Sequence, residues 1–568
     1  MTNTTSTRGW LRALALVLGL AMVAAACGGG DETTSTDTDT GDGATGTGGV
    51  EDSVPDAPEG DPTPGGELTY ALEAETNGGF CLAEAQLAIS GMQVAATIYD
   101  TLTKPDADGQ IQPHLAESVE PNEDFTSWTI TLPEGVTFHD GTPLDAQVVA
   151  NNIDAYRGAY ENRSPLLFRF VFQDVGSVQV VDPLTVQVDM TRPWSSFDWA
   201  LYGSNRIGIM GQAQLDSDDC GNELVGTGPF QLESWTVSEE LVTVKNADYW
   251  RTDADGTQLP YLDRITYQPI PEVASRVNAL ESGQVDVIHT SDTEQIAQRL
   301  QPLAEGDQIE LLATDDYSEV NYLMLNTDAA PFDNKDARLA LAHALDRQLL
   351  IDVRGSGLGS VANGPFPEDV PGHVADPGFP QYDLAKAQEH AAAYEEATGE
   401  QLSFSYTFVS TESGQLTAQE IQTQLADAGI DISLSPAGDQ ATTINKALAG
   451  DFQAMAFRNH PGTDPDRENN WWYTGSPVNF GRIADPEMDR LLDEGRETGP
   501  GEARDAIFQD LTRRFAEEVY NVWLSTAVWA IATQSDVHNV LGYGPEAGSD
   551  AFPGVATGHD VAGIWVSR

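Results

Sequence analysis

"PEVASRVNALESGQVDVI" spans Pro271–Ile288 and carries two periodicities in succession. Val273, Val277 and Leu280 recur at helical spacing, so one side of a helix is apolar. Gly283 can take the left-handed conformation that closes such a helix. Val285–Ile288 then turns apolar and β-branched, as a buried strand does. A helix that hands over to a strand at once is the unit of a sheet covered by helices. The fold class read from it is α/β, with α+β the neighbouring choice.

The same alternation runs outward in both directions. "SWTITL" (Ser127–Leu132) sets Trp128, Ile130 and Leu132 on one face, and "LTVQVDM" does so with Val186, Val188 and Met190. "TPLDAQVVANNIDAY" reads as a helix with Pro143 in its first turn and Val148, Asn152 and Tyr156 on one stripe. "FDNKDARLALAHALDRQLLIDV" reads as one helix capped by Asp333, with Asp336 three residues on and Leu341, Leu345 and Leu349 buried. "DPEMDRLLDEG" repeats the pattern with cap Asp485, Pro486, buried Leu491 and Leu492, and Gly495 at its end.

The chain has 568 residues, with 28 Lys+Arg against 89 Asp+Glu and a net charge of −61. Nucleic acid, which needs clustered positive charge, is not a partner such a chain would recruit. At the N-terminus, Arg8 and Arg12 precede an apolar run, Ala13–Ala26, of roughly 14 residues, the length of a signal-peptide core and short of a membrane span. Ala24, Ala25 and Ala26 lead into Cys27, and Gly28–Gly30 follow. This junction looks like a bacterial lipobox, which implies cleavage of residues 1–26 and a lipid on Cys27. Residues 28 to 64 are Gly, Thr, Asp, Ser and Pro with few large apolar side chains, and cannot bury enough surface to offset chain entropy. Residues 27–65 therefore read as a lipidated Cys and its tether. The body is expected outside the cell membrane or in a periplasm, anchored by that lipid. In that oxidising compartment, Cys81 and Cys220 are expected to pair as a disulfide, with two separate thiols the alternative.

The sequence contains no HExxH, paired CxxC, GxxxxGK[ST] or GxSxG motif, so zinc, a phosphate-binding loop and a serine hydrolase have no support. "GTGPF" (Gly226–Phe230) and "RGSGLG" (Arg354–Gly359) lack nucleotide-fingerprint spacing and read as loops. His139 beside Asp140 in "FHDGTP" reads as a turn, because Asp-Gly is a strong turn signal. No cofactor and no metal are expected.

Five blocks, in order, resemble the extracytoplasmic solute-binding proteins of ABC importers, family 5, the peptide/nickel type that includes oligopeptide- and dipeptide-binding proteins. They are His114–Val149, "GTGPFQLESW" with "VTVKNADYW" (Gly226–Trp250), "YLDRITYQPIPEVASRVNALESGQVDVI", "NYLMLNTDAAPFDNKDARLALAHALDRQLLI" and "DPEMDRLLDEGRE". The resemblance implies a two-lobed periplasmic-binding-protein-like fold (type II, cluster C-like) with three domains and a hinge. Domain I would take 66–110, 201–316 and 529–568, domain II 111–200, and domain III 317–528. The hinge would lie near Tyr322–Thr327, at Asn326 and Thr327, and near Trp523–Trp529. The implied role is a monomeric, non-enzymatic carrier that captures di- or oligopeptides and delivers them to an ABC permease. An oligosaccharide, a metal chelate or another organic solute is the alternative, and an exported hydrolase or a structural lipoprotein the remaining classes.

By the same resemblance, "DFQAMAFRNHPGTDPDRENN" (Asp451–Asn470) falls where peptide-binding members carry an aspartate for the ligand's α-amino group. Asp464 is the match, Asp466 its rival, and Arg458 the basic residue facing the cleft. Trp471 and Trp472 either floor a sugar site by stacking or belong to the core or lobe interface. Cys27→Ser is expected to release the protein from membranes or block its processing; continued lipid labelling and membrane attachment of the mature variant would refute the lipobox reading.

Overall fold

Tyr70 and Ala71 are neighbours in one strand, point to opposite sides of their sheet and are both fully buried. A sheet whose alternate residues are all buried must be covered on both faces. The computed structural model describes residues 60–568 except 77, 78, 86, 166, 439 and 461, and in it this strand sits mid-sheet. The leader, Cys27 and the tether up to residue 59 lie outside the described residues.

The strands that build the three larger sheets, in chain order, are β1 (Glu67–Leu72), β2 (Ser118–Pro121), β3 (Ser127–Thr131), β4 (Val175–Asp182), β5 (Thr185–Met190), β6 (Phe230–Thr236), β7 (Glu240–Lys245) and β8 (Arg264–Pro269). They continue with β9 (Val287–Thr290), β10 (Ile309–Thr314), β11 (Val320–Leu325), β12 (Ser403–Phe408), β13 (Asp431–Pro436), β14 (Ala454–Arg458), β15 (Asn521–Thr526) and β16 (Trp529–Gln534). A seven-stranded sheet has the order β10-β16-β9-β1-β8-β7-β6, with β1 parallel to β8 and β9. The helix Val273–Glu281 joins β8 to β9 and buries Val277 and Leu280. A five-stranded sheet has the order β13-β12-β14-β11-β15, and a four-stranded antiparallel sheet the order β2-β3-β5-β4.

Two main cores result. Trp128 and Ile130 of the four-stranded sheet join Leu68 and Tyr70 of the seven-stranded sheet in one apolar cluster. The five-stranded sheet has its own, which includes Leu323, Phe515 and Trp523. Chain 111–200 thus packs into one lobe with the large sheet. The Cys81 and Cys220 sulfurs are bonded at 2.09 Å, both residues buried, which ties the segment after β1 to the loop before β6.

Local readings needed four corrections. Pro143 precedes its helix, which starts at Ala146 under the Asp145 cap; the Asp145 carboxylate accepts from Val148 N at 3.0 Å. Asn334, not Asp333, caps the helix Lys335–Ala344, accepting from Asp336 N at 2.7 Å. That helix stops at Leu345, and Asp346 caps a new one, Arg347–Arg354. The restart shifts the buried stripe, so Leu349 is exposed while Leu341 and Leu345 are not. Gly495 lies inside its helix, where a Cβ would meet the Phe508 ring at 2.5 Å. His139 binds the "GTGPF" loop, its Nδ1 accepting from Gly226 N at 3.3 Å and its Nε2 bonding to Gly228 O at 3.0 Å.

Candidate functional site

The chain passes between the two large sheets twice, and the passages lie side by side. On one side β10 pairs with β16, ending at Thr314 opposite Trp529. On the other β11 pairs with β15, starting at Val320 opposite Thr526. Residues 315–319 and 527–528 make the crossing. Ala527 N donates to Glu319 O at 2.8 Å, Ser318 Oγ to Ala527 O at 2.6 Å, and Thr526 Oγ1 to Asp315 Oδ2 at 2.5 Å. A two-stranded crossing bends readily across its sheets and resists shear along them, because backbone hydrogen bonds hold its register. The expected hinge residues Asn326 and Thr327 are not part of it. They follow β11 at its far end, where Asn326 Nδ2 donates to Phe452 O at 3.1 Å and Thr327 N to Gly481 O at 2.9 Å.

Arg458 ends β14 beside this crossing. Its guanidinium lies 3.1 Å from Glu319 and 5.4 Å from the centre of the Trp529 ring. Trp529 Nε1 donates to the same Glu319 carboxylate at 3.3 Å, and His289 stacks on Trp529 with ring centroids 4.6 Å apart. One residue from each sheet and one from the crossing therefore meet in a single contact set. After β14 the loop is locked by Asn459, whose Oδ1 accepts from Val320 N at 2.5 Å and whose Nδ2 donates to Pro365 O at 2.6 Å. His460 and Trp471 rings lie 4.5 Å apart, and with Arg458, Phe457, Tyr322 and Glu468 they line a cavity against the five-stranded sheet. Trp472 belongs to the core beside it, 4.7 Å from the Phe515 ring and 3 % exposed. Any stacking platform here rests on Trp471.

The two aspartates are put to other use than the ammonium contact expected of them. Asp464 is held bidentately by Arg504, at 2.7 Å to each oxygen, and also caps the turn Pro465–Glu468 through Asp466 N at 2.8 Å. Asp466 meets Arg496 Nε at 3.0 Å and accepts from Trp194 Nε1 at 3.0 Å and Ser196 Oγ at 2.8 Å. Arg496 also holds Asp174 at 2.8 Å and lies over the Trp194 ring. Arg192 bridges Asp174 and Asp493. These carboxylates are consumed by guanidinium partners that lie far away in sequence. Asp466 joins the lobe that carries the four-stranded sheet to the lobe that carries the five-stranded one.

Across from that loop, Gly203, Ser204 and Asn205 form a turn with three successive positive φ angles of 51°, 56° and 62°. Asn205 Nδ2 secures it by donating to Thr557 O at 2.9 Å. The turn touches the opposite lobe, since a Cβ on Gly462 would lie 2.8 Å from Trp199 and 3.4 Å from Ser204 Oγ. Behind it, Asp100, Lys104, His114, Tyr249, His559 and Asp560 line a second, polar cavity. Burial alone would raise the Asp560 carboxyl, but Lys104 at 3.3 Å and Arg251 at 2.6 Å hold it below the ordinary range. Burial also raises Asp198, next to Trp199, to about 6, and the Asp464 charge adds to the effect. Sequence patterns pointed to none of Glu319, Arg496, Arg504 or Arg206, and the resemblance named Trp529 only as an end of the expected hinge. The one available signal was scarcity: with 28 Lys+Arg in the chain, a lone Arg in an acidic stretch is a reason to look for its partner.

The profile of the bacterial extracellular solute-binding proteins, family 5 Middle, matches residues 110–481, more than half of the chain. The chain belongs to this family. The glutathione-binding protein GsiB of Salmonella paratyphi A is 32% identical over 361 residues, 62% of this chain and 66% of that protein. Its counterpart in Shigella dysenteriae is 30% identical over 359 residues with the same coverage. The chain thus spans 66% of the length of these curated relatives. Among solved structures, the binding protein AgaA of A.tumefacien in complex with agropinic acid is 26% identical with a TM-score of 0.76, covering 89% of this chain and 99% of its own. DppA of Helicobacter pylori in complex with the peptide STSA, 21% identical, shares the fold with a TM-score of 0.77 over 89% and 99%. Both give the family-5 periplasmic-binding-protein fold expected from the sequence.

Two outcomes follow from the charge arrangement. Asp464→Ala should leave Arg504, whose side chain is 5 % exposed, without its counterion, and so lower the unliganded protein's stability by about 3–5 kcal/mol in urea denaturation; an unchanged midpoint would remove the pair from the fold's foundations. Asp198 binds its proton more tightly folded than unfolded. Its protonated form contributes stability below about 3.8 that is lost as pH rises through about 6. Asp198→Asn should therefore melt above wild type at pH 8, with the gap closing as pH falls from 6 to 4; a gap independent of pH would contradict the raised carboxyl.

Proposed function

We propose that this protein is the lipid-anchored substrate-binding component of an ABC importer, capturing short peptides or related amino-acid-derived solutes outside the membrane and delivering them to the permease. The observation that carries the reading is the paired double crossing at 315–319 and 527–528, with Glu319, Arg458 and Trp529 packed against it. A binder that releases its cargo needs two bodies, a flexible joint and a cleft whose walls meet at that joint. In this scheme 66–110, 111–200, 201–316 and 529–568 act as one body, and 317–528 closes on it. Closure brings Asp466 to Trp194 and Ser196, and a permease reads the closed form.

The solute class rests on the family and on what the relatives are named for, which are glutathione, agropinic acid and peptides. With Asp464 and Asp466 committed to Arg504 and Arg496, a free carboxylate for an ammonium group is not the feature that favours peptides here. Lipid attachment at Cys27 and a carrier role without catalysis complete the proposal.

The test is calorimetry and thermal shift with three probes, the dipeptide Met-Leu, the tetrapeptide Ser-Thr-Ser-Ala and glutathione, together with mass spectrometry of solute co-purified with the natively folded protein. A probe at a hundred times its Kd should stabilise the protein by about 2.7 kcal/mol and be recovered chemically unchanged. A protein that shifts with none of the probes and holds no co-purified solute would overturn the capture reading, and recovery of a cleaved probe would move it to the hydrolases.

A further inference from the structure

We infer that Arg206 anchors a single carboxylate of the captured solute, an inference that rests on the capture reading above. The carboxylates around the cleft already have cationic partners. Glu319 is paired with Arg458 at 3.1 Å, Asp464 with Arg504 at 2.7 Å and Asp466 with Arg496 at 3.0 Å. Glu468 has Arg467 at 3.6 Å and His460 at 3.5 Å. Arg206 alone at this place forms no ion pair within 4.0 Å among the described residues. Its side chain has one protein partner, the Leu87 carbonyl, which accepts from Nε at 3.2 Å. The two terminal nitrogens, which in a guanidinium carry four donors, have no acceptor among the described residues.

Arg347 shows what a guanidinium without a counterion looks like when its role is internal. It too lacks an ion pair, but its terminal nitrogens donate to Ala362 O, Trp523 O, Asn363 Oδ1 and Gln381 Oε1. Four neutral acceptors compensate it, and it braces the fold. Arg206 has no such set. Arg206 is half-buried, so its terminal nitrogens stay within reach of solvent, and in so acidic a chain a counterion residue was easy to place. The position is instead open to something that is not part of the chain.

The backbone supports the same reading. The three left-handed residues Gly203–Asn205 come immediately before Arg206, and two of them are not glycine. Such a conformation costs energy and persists only where surrounding contacts impose it, commonly at ligand clamps. Here Asn205 is tied to Thr557 O and Gly558 O, and Arg206 N donates to Gly203 O at 3.3 Å. The turn meets Gly462 of the other lobe, and the charges of Glu319 and Glu468 reach Arg206, which places it beside the cleft.

The chemistry narrows the ligand. Two donors of one guanidinium match the two oxygens of a carboxylate. Burial draws Arg206 down to about 10, while the charges of Glu319, Tyr202 and Glu468 act in the opposite direction. Glu319 and Glu468 already stand in this field, so a phosphate with nearly two charges would be repelled where a carboxylate with one is balanced. The group recognised is the carboxylate of a peptide or amino-acid conjugate, with the remainder of the solute at the cleft close to neutral.

Met-Leu and Ser-Thr-Ser-Ala, each as free acid and as C-terminal amide, are measured by calorimetry against wild type, Arg206→Gln and Arg206→Lys. Amidation should weaken wild-type binding tenfold or more. Arg206→Gln should bind the free acid no better than wild type binds the amide, and show no acid–amide difference; Arg206→Lys should keep part of it. Unliganded Arg206→Gln should melt at or above wild type, because a cation without a counterion has been removed. Equal acid affinities in wild type and Arg206→Gln, or an amide penalty that persists in the variant, would overturn Arg206 while leaving the capture reading intact. If the wild type binds neither peptide, the co-purified solute decides. A solute that gains methyl esters on acid methanol treatment and is absent from Arg206→Gln supports the anchor; one with no esterifiable group, or one retained by the variant, overturns it. A wild type with no solute and no response to any probe overturns both readings.

Discussion

Everything in this molecule turns on two short strands of backbone crossing together. A single crossing would leave the lobes swivelling, while three or more would form a rigid sheet. Two crossings, paired with each other in both sheets, leave one soft direction. Glu319 sits in the crossing and uses its backbone and side chain for different purposes. Its carbonyl accepts from Ala527 N, which holds the two crossings in register, and its carboxylate collects Arg458 from one sheet and Trp529 from the other. A change in the angle between the sheets must therefore alter the contact set that borders the cleft. The double crossing and the cavity lined by Arg458 thus share one contact set.

The charge pattern follows from scarcity. With 89 acidic residues and 28 basic ones, most carboxylates can only be solvated, and most guanidinium groups are committed. Arg496 serves Asp174 and Asp466, and Arg504 holds Asp464 with both oxygens. Such pairs repay their desolvation only when geometry and extra hydrogen bonds are good, as the donation from Trp194 and Ser196 to Asp466 provides. A half-buried Arg without such a partner stands out against this background, as it would not in a chain with balanced charge.

The parts of the fold legible from residue order are those set by local periodicity. Val186 and Val188 are fully buried on one face of β5, Trp128 and Ile130 on one face of β3, and Leu491 and Leu492 on one helix. The caps at Asp333 and Asp485 were read to within a residue, and the error at Asp333 arose because Asn and Asp cap by the same chemistry. The single long helix drawn through Leu349 failed for a related reason. Asp346 can lie inside a helix or start one, and its carboxylate accepts from Leu349 N, so the second choice won.

By itself, the sequence determined the alternation of helix and strand, the acidic surface, the absence of common catalytic motifs and membership of a solute-binding family. Those follow from composition, from periods of two and 3.6 residues and from ordered blocks, all of which are local or additive. Tertiary structure alone decided which carboxylates remain available to a ligand. Asp464 looked free until the fold brought Arg504 to it across forty positions of chain, and Arg206 looked ordinary until the fold left it without an ion pair among the described residues. Whether a charge is spent or available depends on what lies within a few ångströms, and that distance is set by packing between lobes, which no local pattern encodes.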